Sequence, residues 1–396
     1  MEFIQFKLNE IAYIKGGKRL PKDASLMDEV TAHPYIRVSD FNESGSIDCS
    51  NIKFISEKTQ KKISQYTISD DDLYISIAGT IGKTGIVPPS LSGANLTENA
   101  AKIVFKDKEK QILKYVYYFT KTHSFIEQIG LATKTVAQPK LALKRLGEVL
   151  IPIPSLKEQK RIVEKLDALL IRIDTAIRHL QQSISLTDTL LKSSLNSMLT
   201  LCEHWEHVRL NEVCQITSKL CDPREEKYLD MYHVGGANIK QFSGLLINLK
   251  TAKEETLISG KFPFDTSMVL YSKIRPYLMK VARPMISGIC SADIYPLTPD
   301  KKKITRDFLF YLLLSEQFTQ YAIEGSSRAG MPKVNRNHLF SFAFHLPPLD
   351  EQASICESLD ALAEKTNEAS IVLESKLAYL TSLKASILDS AFKGDL

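Results

Sequence analysis

The stretch Pro154-Ser155-Leu156-Lys157-Glu158-Gln159 returns 193 residues later as Pro347-Pro348-Leu349-Asp350-Glu351-Gln352. The same offset relates Leu166-Asp167-Ala168-Leu169 to Leu359-Asp360-Ala361-Leu362, Pro139-Lys140 to Pro332-Lys333, and Ser193 to Ser386. Nearer the start, Leu8-Asn9-Glu10 matches Leu210-Asn211-Glu212 at an offset of 202, so the second half is 9 residues shorter in its middle. An internal repeat on this scale outranks any single motif in deciding architecture. The ends of the two halves agree and the middles do not, which reads as one scaffold carrying two divergent working surfaces.

Each repeat has a mixed part and a helical part. In the mixed part, short apolar runs bounded by Gly and Pro (Leu73 to Ala78, Lys102 to Phe105, Met268 to Tyr271, Ala343 to Leu346) read as strands. Short helices are expected at Gln111 to Thr122 and Thr305 to Ser315. The helical part, residues 156–199, contains neither Gly nor Pro. Its apolar positions Ile162, Leu166, Leu169, Ile173, Ile177, Leu180, Ile184, Leu191 and Leu195 recur mostly at spacings of 3 and 4. The counterpart carries Ile355, Leu359, Leu362, Ala369, Leu373, Leu377, Leu380 and Ile387. Ser155 and Glu158 stand at capping-box spacing; Pro348 replaces that serine in the second copy, and Gly394 is the expected stop.

A single amphipathic helix of this length needs a partner for its stripe, and its duplicate is at hand. Chain order makes the pair antiparallel, with rods of about 66 Å at ~1.5 Å per residue. Charge agrees: residues 156–199 carry 7 basic and 5 acidic residues, and residues 349–396 carry 4 and 9. The expected fold class is α+β, with two mixed α/β domains at 1–155 and 200–348. They are separated by long helices at 156–199 and 349–396 that form an antiparallel coiled coil with pseudo-two-fold internal duplication. The competing arrangement folds each helix onto its own domain.

Composition narrows the function. The 396 residues carry a net charge of +5 and are 44% hydrophobic, which describes globular domains rather than a histone-like polycation. Both mixed parts are mildly basic: residues 1–155 have 21 Lys+Arg against 17 Asp+Glu, and residues 200–348 have 19 against 15. No apolar run approaches the ~18 residues of a membrane span, and the start lacks a signal-peptide pattern. Cys49, Cys202, Cys214, Cys221, Cys290 and Cys356 form no C-x-x-C pair, which fits a reducing cytoplasm.

Catalytic motifs are lacking. Gly82-Lys83-Thr84 imitates the end of a phosphate-binding loop, but the first glycine of G-x-x-x-x-G-K-[ST] is replaced by Ile77. A P-loop ATPase acting on nucleic acid is therefore the weaker reading. Cys202, His204 and His207 are close in sequence without an evident fourth metal ligand, and Trp205 between them reads as a core anchor. The acidic run Asp70-Asp71-Asp72 reads as a solvated face beside a turn. No catalytic residue and no metal site are assigned.

The order domain, helix, domain, helix closely resembles the specificity subunits of type I restriction-modification systems. So do the junctions Ile151-Pro152-Ile153-Pro154-Ser155-Leu156-Lys157-Glu158-Gln159 and His345-Leu346-Pro347-Pro348-Leu349-Asp350-Glu351-Gln352, and the ending Leu383 to Leu396. Asp72 to Ser76 with Gly79 to Lys83, Val269 to Tyr277, and Trp205 to Val213 look like parts of that family's target-recognition domains. The resemblance covers the whole chain. It implies a non-catalytic subunit whose two domains each read half of a bipartite double-stranded DNA target. It implies helices that set the spacer and dock two methyltransferase (modification) subunits. S-adenosylmethionine, ATP and Mg are then expected on partner subunits, the last two with the motor-nuclease (restriction) subunits, and no membrane partner is expected. An orphan, specificity-swapping scaffold without a nuclease is the alternative within the same family.

Base and phosphate contacts require cationic and amide side chains on loops. In the first domain the candidates are Lys18 and Arg19 beside Gly16-Gly17, Arg37 with Ser39 and Asp40, Lys83, and Lys134 with Gln138 and Lys140. In the second they are Lys219, Arg224, Asn238, Lys240, Lys273, Arg275, Tyr277, and Arg328 with Lys333. Lys18 and Lys83, flanked by glycine, are the first choices for phosphate.

Overall fold

A computed structural model describes residues 3–107, 109, 112–131, 140–200, 204–326 and 332–396. Contacts divide the chain into two compact units, residues 1–181 with 375–396, and residues 182–374. Both long helices form without interruption, Leu156–Met198 and Leu349–Lys393. The second ends as anticipated, with Gly394 at φ +86°, a left-handed stop that glycine takes without a Cβ penalty. At the start of the first helix only half of the capping box forms. The Ser155 hydroxyl accepts the Glu158 N–H at 3.4 Å, while the Glu158 carboxylate turns to Arg161.

In the first unit a four-stranded antiparallel sheet runs in the order Ala12–Gly16, Ala100–Phe105, Leu73–Ser76, Thr84–Ile86. A second sheet orders Lys53–Phe54, Pro34–Ile36, Ala94–Leu96, Thr67–Ile68, with one parallel pair, Pro34–Ile36 on Ala94–Leu96. Gln5–Lys7 pairs with Leu150–Pro152. The second unit repeats this plan. One sheet runs Cys214–Gln215, Ile294–Pro299, Val269–Ser272, Val281–Ala282. The other runs Lys250–Thr251, Tyr232–Val234, Gly288–Ser291, Lys261–Phe264, again with one parallel pair, and Glu206–Arg209 closes on Ala343–Leu346. The middles, unlike in sequence, therefore share a topology: alternation and burial define a strand, and many side-chain sets satisfy them.

What the repeat holds constant is a set of polar struts, two of them fully buried. Gln159 and Gln352 are fully buried. Gln159 accepts the Ile112 N–H at 3.0 Å and donates to the Pro154 carbonyl at 3.0 Å. Gln352 accepts the Thr305 N–H at 2.8 Å and donates to the Lys303 and Pro347 carbonyls at 2.8 and 2.9 Å. Each amide thus ties its long helix to the start of Leu113–Phe119 or Arg306–Leu314, the two short helices expected from sequence. The Tyr118 hydroxyl donates to Asp167 and the Tyr311 hydroxyl to Asp360, the latter at 2.6 Å. Asp389 and Asn196, also 193 residues apart, each accept the first N–H of a following helix, from His123 at 2.9 Å and from Glu316 at 3.0 Å.

These last contacts show how the long helices are used. In the first unit the end of the second helix enters the core: Leu388, Ala391 and Phe392 cluster with Ile162, Val163 and Leu166 of the first helix and with the domain. In the second unit the end of the first helix does the same, with Leu195 in the cluster of Cys356 and Leu359. Antiparallel contact between the helices is present in each unit. Asp174 pairs with Lys384 at 2.5 Å, and Arg161 donates to the Leu396 carbonyl at 2.8 Å. Thr187 meets Ser370 at 3.0 Å.

The assignment of the whole stripe to helix pairing needs correction. Ile162, Leu166, Leu195, Ile355, Leu359 and Ile387 take part in the domain cores. Ile173 is buried. Leu169, Ile177, Leu180, Ile184, Leu191, Leu362, Leu373, Leu377 and Leu380 are only half-buried. A pair of helices has one shared seam, and two α-helical surfaces in contact leave the flanks of a wide stripe open to solvent. The fully buried positions Ile162, Leu166, Leu195 and Leu359 have the domain as a third wall. Among the described residues no helix is long and apolar enough to cross a membrane.

Candidate nucleic-acid interface

The central strands Leu73–Ser76 and Val269–Ser272 are buried at every position. Each ends in a turn, and the two turns are held alike. In the first, the Ser76 N–H donates to the Lys83 carbonyl at 2.9 Å, Ala78 bridges to Lys140, and the Leu141 N–H donates to Ile77 at 2.9 Å. In the second, the Ser272 N–H donates to the Lys280 carbonyl at 3.0 Å, Ile274 bridges to Lys333, and the Val334 N–H donates to Lys273 at 2.9 Å. Lys140 and Lys333, the lysines of the repeated Pro-Lys pair, therefore tether the two turns. The turns bend through left-handed residues at matching places, Gly79 (φ +73°) and Gly82 (+90°) against Arg275 (+51°) and Met279 (+47°). For residues with a Cβ that conformation costs on the order of 1–2 kcal/mol.

The candidate contacts fall into two groups. Several are used inside their own domain. Arg37 forks onto the buried Asp40 at 2.6 and 3.1 Å and donates to the Asn51 carbonyl, so this pair braces a loop, with Ser39 exposed beside it. Asn238 accepts the Gly235 N–H at 2.8 Å and donates to the Ile247 and Asn248 carbonyls, which uses its whole amide. Lys273 donates to the Ala292 carbonyl, pairs with Asp293 at 3.5 Å and lies over the Tyr295 ring; burial lowers its affinity for a proton. Arg19 pairs with Glu98 at 2.7 Å, Lys83 with Glu43 at 2.5 Å, and Arg224 with Asp222 at 2.7 Å. Lys83 holds the Glu43 carboxyl below its usual range, and Arg224 brings Asp222 down to about 2.

The second group is exposed: Lys18 near the Tyr66 ring, Lys140, Lys219, Lys240, Arg275 and Tyr277, with Lys333 pairing to Asp293 at 3.5 Å. Lys134, Gln138 and Arg328 lie outside the described residues, as does Cys202. Two further expectations resolve differently. Asp72 is buried rather than solvated; it accepts the Ser69 N–H at 3.0 Å and pairs with Lys102 at 3.5 Å, so it closes the turn before its strand. His204 and the indole N–H of buried Trp205 both engage Glu351, at 2.7 and 3.0 Å, and the His207 ring packs on His345.

The P-loop-like triplet has local duties as well. The Lys83 N–H donates to the Ser76 hydroxyl, and Thr84 is buried against Thr120 at 2.6 Å. Beside it lies a residue that sequence reasoning passed over. Lys121 donates to the Thr84 carbonyl at 2.8 Å above the Tyr117 ring, and burial pushes its pKa down to about 8. Its setting comes from residues distant in the chain, which no local pattern announces. Cys214, Cys290 and Cys356 are pushed up to about 12 by burial, so their thiols stay protonated and inert near neutrality.

Twin sheet domains, each tethering a turn at the end of its central strand, define a duplicated recognition scaffold. The chain belongs to the family of the type I restriction modification DNA specificity domain, whose model matches residues 2–185 and 202–374. It is 30% identical over 285 residues to the EcoDI specificity subunit of Escherichia coli, a match covering 63% of this chain and 63% of that relative's length. It is 23% identical over 386 residues to the StySPI specificity subunit of Salmonella potsdam, covering 92% of this chain and 82% of the relative. Among solved structures it is similar to a chain from work on complex assembly and conformational transition of the type I R-M system, with TM-score 0.77 and 20% identity over 100% and 98% of the two chains. The HsdS subunit from Thermoanaerobacter tengcongensis follows at TM-score 0.53 and 21% identity, covering 100% of this chain and 97% of that one. At these identities the structural likeness speaks to the fold.

Proposed function

We propose that this chain is the DNA-reading, non-catalytic subunit of a type I restriction-modification complex. Each sheet domain reads one half of a bipartite double-stranded target, and the two long helices set the spacer between the halves. The observation that carries this reading is the duplication itself, with equivalent tethered turns in both domains, exposed Lys140 and Arg275 at those turns, and exposed Lys18, Lys219 and Lys240 elsewhere on the two domains. The helices also dock two methyltransferase subunits. Exposed apolar side chains along them support that role, Ile171 and Leu186 on the first and Ile371, Val372 and Tyr379 on the second. S-adenosylmethionine belongs on the methyltransferases, ATP and Mg on motor-nuclease subunits, and the complex works in the cytoplasm.

The test is co-expression with a cognate methyltransferase subunit, followed by mapping of methylated adenines. One interrupted motif is expected, and its absence overturns the reading. Matched seven-residue insertions in the exposed middle of both helices add about 10 Å at ~1.5 Å per residue. The spacer is expected to lengthen by about three base pairs at ~3.4 Å each. A motif that keeps its spacer removes the ruler role and leaves the recognition role standing.

A further inference from the structure

Gly79 and Arg275 occupy the same place, the third residue after the serine that ends the central strand, next to the residue that bridges to Lys140 or Lys333. A Cβ built on Gly79 meets nothing within 4 Å, so its left-handed φ of +73° is what glycine serves there. The second domain bears an arginine at φ +51° in that place. The other left-handed residue of its turn has a packing reason, since Met279 lies against the core of its domain. Arg275 has none. It is exposed, and among the described residues its guanidinium makes no hydrogen bond or ion pair, whereas Lys273 two residues before it is bound internally. Its backbone is pinned on both sides: the N–H donates to the Pro332 carbonyl at 2.9 Å, and the carbonyl accepts the Leu278 N–H at 2.9 Å.

A strained residue on an over-determined backbone, with a side chain the fold does not use, marks a functional position. We propose that Arg275 is a specificity-determining residue of the second domain, its guanidinium reading the O6/N7 edge of a guanine in the major groove of one half-site. This rests on the DNA-recognition reading above. A phosphate asks only for charge, which Lys219, Lys240 or Lys333 supplies from unstrained backbone. A base edge asks for a directed pair of donors, and a planar fork on a pinned turn meets that demand.

The experiment uses the full chain with its methyltransferase partner and two variants, Arg275→Gly and Arg275→Lys. Arg275→Gly keeps the left-handed backbone and removes the fork; Arg275→Lys keeps the charge. Thermal melting, motif mapping and binding to duplexes substituted one base pair at a time are the readouts. For Arg275→Gly the melting temperature is expected to hold or rise, while affinity for the cognate duplex falls roughly 5- to 150-fold. Discrimination at a single G·C pair of one half-site is lost, and the other half-site is unaffected. Arg275→Lys recovers part of the affinity and none of the discrimination. A uniform loss of affinity with an unchanged motif and a salt slope lower by about one identifies a phosphate contact and overturns the proposal. So does unchanged binding, or a destabilised Arg275→Gly chain. A wild-type complex that recognises no interrupted motif defeats the DNA-recognition reading itself, which is a separate outcome.

Discussion

The turns at residues 76–83 and 272–280 hang from the same strand ends and from matching lysines, Lys140 and Lys333, yet one bends through two glycines and the other through an arginine and a methionine. The struts beneath them behave in the opposite way. Gln159 and Gln352, Tyr118 with Asp167 and Tyr311 with Asp360 keep both residue type and partner. The difference follows from burial. An interior amide that serves orphan backbone groups leaves an unmet donor or acceptor when replaced, so duplicates retain it. A turn facing solvent tolerates any side chain its backbone can carry, so duplicates diverge there.

The largest effect that can break this comparison lies at the helix ends. Phe392 packs tilted against Tyr115 and edge-on against Phe119, with ring centroids 4.9 and 5.4 Å away, and its repeat mate Leu199 is only half-buried. Phe392→Ala is expected to cost about 3–5 kcal/mol and Leu199→Ala about half as much, read by denaturant unfolding with hydrogen exchange to assign each loss to its unit. Equal losses end the asymmetry assigned to the two helix ends.

Next come the amides. Gln159→Leu and Gln352→Leu each strand a helix-start N–H, and each is expected to cost about 2 kcal/mol. A more than twofold gap between them contradicts equivalent struts.

The smallest effect sharpens the first unit alone. Lys121 releases its proton near pH 8 when folded and near the ordinary lysine value of 10.5 when unfolded. Between those values the unfolded chain holds more protons, so this site's contribution to stability rises with pH across that window. Lys121→Met is expected to raise the melting temperature most at neutral pH, with the gain shrinking toward pH ~10. A gain that is flat with pH assigns the effect to packing.

Much of the fold was legible in the residues. The 193-residue offset, the Gly- and Pro-free helices and the short strands all follow from local periodicity, and the structure returns them nearly at the expected bounds. The candidate interface was legible only as composition. A cation on a loop looks the same in sequence whether it faces solvent, as Lys240 does, or braces a loop, as Arg37 does. Asp72 was misread for the same reason: three successive aspartates look solvated until one of them caps the turn behind a buried strand.

Repeat spacing and helical periodicity by themselves determined that the chain is built twice and that each copy closes with a long amphipathic helix, because these are properties of near neighbours along the backbone. Only the tertiary structure decided that the end of each helix is buried in a core with the other repeat's sheets, that the stripe is shared with the domain cores, and that Arg275 stands strained and unspent where its counterpart is glycine. Those outcomes depend on which distant surfaces meet and on a backbone angle imposed by a tether more than fifty residues away, and neither is written in the local chain.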